Sequence, residues 1–167
     1  MMAETARIAA WSSFFLAGAS ATSALAGLLF VALSINLSKI LDHPHLAQRA
    51  AETLMLLSAA LFEALLVLVP GLSPPRLGLL VLGLGLPAWL VPATWQLRAI
   101  RLKRYHRRIY AYLHLILHHI ATVPMVLAGL SLRGWLGGGL SWLAMGVAVS
   151  IAVALYAAWI LLVEIVR

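Results

Sequence analysis

Five apolar stretches separated by short polar or turn-forming connections restrict this chain more than any other feature of its sequence. About 20 apolar residues cross the hydrocarbon core of a bilayer as a helix. Phe14–Leu37, Thr53–Pro70, Leu77–Leu97, Ile109–Leu132 and Gly139–Glu164 approach or exceed that length, the last being long enough to tilt or protrude. The connections carry helix-stopping chemistry: Asp42-His43-Pro44-His45, Pro70-Gly71-Leu72-Ser73-Pro74-Pro75, and Arg133-Gly134-Trp135 followed by Gly137-Gly138-Gly139. None is long enough to hold a soluble domain. Hydrophobic residues make up 63% of the chain and charged ones 10%, against about 25% charged in soluble domains. A globule of 167 residues cannot hide that much apolar surface. The expectation is an all-α, polytopic transmembrane helix bundle forming one domain over residues 1–167.

Lys and Arg in the connections predict its orientation, because positive charge is retained on the cytoplasmic side. With the connection between spans three and four inside, that side holds Lys39, Arg49, Arg98, Arg101, Lys103, Arg104, Arg107, Arg108 and Arg167; the other holds Arg7, Arg76 and Arg133. Five spans then put the N-terminus outside and the C-terminus in the cytoplasm. Trp11, Trp89, Trp95, Trp135, Trp142 and Trp159 lie mostly near span ends, where interfacial aromatics gather. Arg7, the apolar run and Ala17-Gly18-Ala19-Ser20-Ala21 imitate a secretory signal, but the run continues to Leu37 and reads as a retained first helix. The net charge of +7 is concentrated at span ends. The Arg98–Arg108 stretch therefore reads as a topology anchor, or as a contact for anionic lipid head groups, and no nucleic-acid partner is expected. The absence of cysteine excludes disulfides, thiolate metal sites and Cys nucleophiles.

Small residues mark the packing faces. Gly18/Thr22 and Ser23/Gly27 in the first span, and Gly146, Ser150, Ala154 and Ala158 in the fifth, recur at four-residue intervals. Such faces let backbones approach closely in lipid. One serves the bundle, and two predict a homo-oligomer. Pro87 cannot donate to the carbonyl of Gly83, nor Pro124 to that of Ile120, so a kink or break is expected in the third and fourth spans.

Glu63 is the one acid well inside a span. At about 1.5 Å rise per residue it lies roughly 15 Å from the cytoplasmic end of the second span. His118 and His119 should reach a similar depth, with His114 on the face of His118 and Ser150 near the same level. An ionised acid in lipid costs several kcal/mol, so Glu63 must face the interior and either find a partner or stay protonated. Its expected partner is His118 or His119. The pairing reads as a structural hydrogen bond or as a proton-titrating or cation-binding site flanked by the prolines. Haem ligation would need facing histidines from two spans, and a dimetal site Glu-x-x-His pairs; neither pattern is present, so no metal or cofactor is expected. There is no Gly-x-Ser-x-Gly elbow, His-Glu-x-x-His or phosphate-binding Gly loop, and the chain is read as not an enzyme.

The run Ala26-Gly27-Leu28-Leu29-Phe30-Val31-Ala32-Leu33-Ser34-Ile35-Asn36-Leu37 is followed by Arg49-Ala50-Ala51-Glu52-Thr53-Leu54. Together with Ala157-Ala158-Trp159-Ile160-Leu161-Leu162-Val163-Glu164-Ile165, these resemble a family of small bacterial multi-pass membrane proteins of unknown function. Its members are often described as modulators of a membrane AAA protease. The resemblance covers most of the chain and implies the bacterial plasma (inner) membrane, with no catalytic residues. Its motif residues are Ser34, Asn36, Arg49, Glu52 and Glu164, which read as a polar cluster at the cytoplasmic span ends. Glu63, His118 and His119 fall outside that pattern. Two functions are carried forward: a small channel or transporter for protons or other small ions, and a non-catalytic regulator that binds another membrane protein.

Overall fold

The computed structural model describes residues 2–102 and 108–166, with side chains over 10–102, at 109 and over 112–163. The elements are α1 (Met2–Ile35), α2 (Leu37–Asp42), α3 (Pro44–Val67), α4 (Pro74–Arg101), α5 (Arg108–Leu132) and α6 (Leu140–Val166). No strand occurs among the described residues. Ala10–Ile35, Pro44–Val67, Pro74–Arg101, Tyr112–Leu132 and Leu140–Val163 are long and apolar enough to cross a bilayer. The chain is an integral membrane protein with five candidate spans.

Proline sets two of the helix starts. Pro44 and Pro74 stand at the first helical turn, where a missing N–H costs nothing and the fixed φ is already helical. The second long helix therefore begins nine residues before the apolar run at Thr53 and carries Arg49 and Glu52 within it. Asn36 breaks α1 from α2 and ties its own amide back to the Ala32 carbonyl at 2.9 Å. The α5–α6 turn relies on glycine at Gly134 and Gly138, whose φ values of 85° and 107° suit no other residue as well. Ser131 closes that turn: its hydroxyl donates to the Leu136 carbonyl at 3.0 Å and accepts the Gly139 N–H at 2.6 Å.

Helices α3, α4, α5 and α6 close a four-membered ring, each packing on its two neighbours, and α1 lies outside against α3 and α6. Two apolar clusters make up the core of the bundle, both reaching onto α1. Phe15, Ala60, Leu77, Val81, Met125, Leu143 and Val147 belong to one, and Leu29, Ile40, Leu56, Leu57, Ala121, Val153 and Leu161 to the other. Lipid offers apolar surface as good as leucine, so close backbone approach has to hold helices together. At the α4–α5 contact a Cβ on Gly78 would stand 2.7 Å from the Gly129 carbonyl oxygen. One on Gly146 would meet Met125 Cγ at 2.8 Å, and one on Gly18 would meet Val147 Cγ1 at 3.1 Å.

The small-residue faces therefore divide. Gly18, Thr22, Gly146, Ser150 and Ala154 are buried within the single chain. Ser23 and Gly27 face outward, and a Cβ on Gly27 would meet nothing within 4 Å. Of the kink or break expected at proline, the break is not seen. Helix α4 runs on through Pro87 and Pro92, and α5 through Pro124. Pro87 is exposed on the outside of the ring, away from any interior site, whereas Pro92 and Pro124 are buried.

Candidate functional site

Glu52, Leu56, Ala59 and Glu63 are buried at the three- and four-residue spacing that makes one face of α3. This face looks into the ring. Glu52 Oε1 accepts a hydrogen bond from Gln48 Nε2 at 2.7 Å, one turn earlier on the same helix. Its Oε2 accepts from Gln96 Nε2 of α4 at 2.9 Å and from His114 Nε2 of α5 at 2.8 Å. Three donors from three helices thus converge on one buried carboxyl group and leave both of its oxygens hydrogen-bonded. Gln96 must turn its NH2 toward this acceptor, so its Oε1 points away and has no partner among the described residues.

Glu63 is the opposite case. It is fully buried, and neither carboxyl oxygen has a hydrogen-bond partner among the described residues. Its carboxyl lies against the α4 backbone, where a Cβ on Gly85 would stand 3.1 Å from Oε1 and 3.6 Å from Met125 Cβ. Glu63, Gly85 and Met125 therefore form one layer, and Glu52, Gln96 and His114 another. On each of the three helices the two layers are about three turns apart, roughly 16 Å.

The level between them is polar too. His118, one turn beyond His114, donates from Nε2 to the Trp89 carbonyl of α4 at 3.0 Å. Thr122 follows a turn later, its hydroxyl given to the His118 carbonyl at 2.8 Å. Trp89 Nε1 and Ser150 Oγ are buried with no partner among the described residues. His119 is half-buried, donates from Nδ1 to the Leu115 carbonyl at 2.8 Å, and lies edge-to-face with both Trp89 and His118.

These positions correct the expected pairing. Glu63 bonds neither His118 nor His119, because the early start of α3 puts Glu63 level with Met125 and not with the histidines. The acid that meets a histidine is Glu52, and the histidine is His114. Of the residues expected at the cytoplasmic span ends, hydrogen bonds place three. Ser34 is exposed and bonds the Phe30 carbonyl, Asn36 bonds its own helix, and Glu52 turns into the ring. Arg49 is half-buried on α3. The side chain of Glu164 and the connection residues Lys103, Arg104 and Arg107 lie outside the described residues, as does Arg167.

Gln48, Gly85 and Gln96 are not among the site residues expected from sequence, and Trp89 is expected there only as an interfacial aromatic. The available signal was spacing: Glu52 to Glu63, Gly85 to Gln96 and His114 to Met125 repeat the same interval on three spans. Gln96, an uncharged amide in an apolar span, is the clearest local sign of this layer. Among the described residues no three His, Cys, Asp or Glu side chains gather in one place. Comparison of the chain with protein-family models, with curated proteins and with solved structures finds no match.

Proposed function

We propose that the protein carries protons or other small cations across a membrane along the axis of the α3–α6 ring. One observation supports this reading above the others: Glu63 is an acid buried in a membrane helix with neither oxygen partnered. Such a group costs several kcal/mol in lipid and contributes no contact that would offset the cost. A structural clamp would look like Glu52, with every oxygen engaged. In the proposed path the Glu52–Gln96–His114 layer gates the end near Arg98, and His118 and Ser150 lie between it and Glu63. The membrane is the bacterial plasma membrane, with the N-terminus outside and the basic α4–α5 connection in the cytoplasm. The test is ion flux in proteoliposomes at several pH values, comparing the parent protein with Glu63→Gln. Flux that the substitution abolishes or makes insensitive to pH supports the reading; no flux above empty liposomes from folded protein overturns it.

A second reading rests on a separate observation. The Ser23–Gly27 side of α1 faces outward with open space at Gly27. It fits close approach by another helix, from a second copy of this chain or from a membrane protein that this one regulates. Crosslinking at Ser23→Cys tests it. A disulfide-linked dimer identifies the second copy, and a heterologous adduct identifies a partner.

A further inference from the structure

Four residues in the ring present buried polar atoms without partners among the described residues: Gln96 Oε1, Trp89 Nε1, Ser150 Oγ, and Glu63 Oε1 and Oε2. They are not scattered. Gly85, Trp89, Pro92 and Gln96 recur along one face of α4, so Gln96 and Trp89 bracket the same stretch of the axis that runs from the Glu52 layer toward Glu63. Ser150 of α6 is fully buried one turn beyond Gly146, which packs on Met125 of the Glu63 layer. Buried polar groups in native proteins find hydrogen-bond partners in protein or in ordered water, about nine times in ten.

The chemistry of this set selects its occupant. Trp89 Nε1 is only a donor and needs an acceptor; Gln96 Oε1 is only an acceptor and needs a donor; Ser150 is both. A metal cation satisfies acceptors alone and would face the tryptophan N–H with the wrong sign. An anion satisfies donors alone and would face Glu63. Water does both, and it bridges groups that lie too far apart to bond directly. We propose that a file of water molecules occupies the ring axis between Glu52 and Glu63, and that the cargo of this passage is the proton, relayed through that file to and from the Glu63 carboxyl.

The cargo half of this inference rests on the transport reading, and the hydration half stands without it. The relay balances simply: the adjoining water gives a proton to a Glu63 oxygen as it takes one from the next water of the file, and Glu63 later releases its proton toward the ring end away from Glu52, so no bond but O–H forms or breaks. Gly85 is the positioning residue, because its missing side chain leaves the space that the Glu63 carboxyl fills.

The test uses hydroxyl radicals generated from water in place by X-ray radiolysis of the protein in lipid nanodiscs. Met125 is fully buried beside the Glu63 carboxyl, and Met145 is 47% exposed on the lipid-facing side of α6. Water in the axis oxidises Met125 to the sulfoxide faster than Met145, the reverse of their order of exposure, and Glu63→Met with Gln96→Leu abolishes that excess. Met125 that oxidises no faster than Met145 overturns the water file. Flux assays on the same preparation address the cargo. Uptake driven by a pH gradient, with none driven by Na⁺ or K⁺ gradients, supports the proton. Metal-ion flux through a hydrated axis overturns the proton assignment and leaves transport standing. Oxidised Met125 with no flux of any ion overturns the cargo and the transport reading together, while the water file survives.

Discussion

Glu52 and Glu63 occupy one face of α3 about three turns apart, yet Glu52 accepts hydrogen bonds from Gln48, Gln96 and His114 while Glu63 accepts none from the described residues. Two acids on one helix face thus play opposite energetic parts. The first joins three helices; the second weighs against the fold that holds it.

Stability should separate them. Glu52→Leu strands one buried donor on Gln96 and two half-buried ones on Gln48 and His114, each costing about 1 kcal/mol or somewhat less in a membrane interior, so a loss of about 2–3 kcal/mol is expected. Glu63→Met removes a buried carboxyl and orphans no protein donor, so the variant should be at least as stable as the parent, by about 1 kcal/mol. Denaturant unfolding in mixed micelles followed by circular dichroism reads both. Equal destabilisation by the two substitutions would contradict this division.

The Glu52 cluster should also behave as a unit. His114→Ala and Gln96→Leu both remove donors from the same oxygen. Their combined effect in the Glu52→Leu background should fall well short of the sum of the single effects. Additive losses across this cycle would show that the three side chains act independently.

Two glycines on α4 should respond differently to alanine. At Gly78 the added Cβ meets backbone, 2.7 Å from the Gly129 carbonyl oxygen. The α4–α5 contact has to open, at about 1–3 kcal/mol. At Gly85 it meets the end of the Glu63 side chain at 3.1 Å, and a flexible side chain can yield. Gly85→Ala should therefore keep its melting temperature and lose flux, whereas Gly78→Ala should lose melting temperature first.

Orientation is directly accessible because the chain has no cysteine of its own. Ser38→Cys on α2 and Ser73→Cys before α4 lie at opposite ends of α3. In intact cells a membrane-impermeant maleimide should label Ser73→Cys and spare Ser38→Cys until the cells are opened. The reverse pattern would invert the bundle and place the basic α4–α5 connection outside.

The five spans were legible because apolar length is a local property that needs no knowledge of neighbours. The helix start at Pro44 is not legible from the apolar run, which begins at Thr53, because Asp42-His43-Pro44-His45 has the chemistry of a turn. In the structure Pro44 opens the helix, and Glu52 finds partners on α4 and α5 that no local reading supplies. The same shift misdirected the histidines. Glu63 and His118 match in depth only if the second span begins where the apolar run does. Gly18 and Thr22 were recognised as a packing face, but the distinction between their inward face and the outward Ser23 and Gly27 depends on where α6 lies.

The central claim is that Glu63 carries the transported charge, and the most direct measurement is proton flux in proteoliposomes containing the parent protein, Glu63→Gln or Glu52→Gln. The account predicts pH-gradient-driven flux in the parent, none in Glu63→Gln although that variant folds, and a reduced but measurable rate in Glu52→Gln, whose amide still offers an acceptor to His114. Flux in Glu63→Gln equal to that of the parent would contradict it.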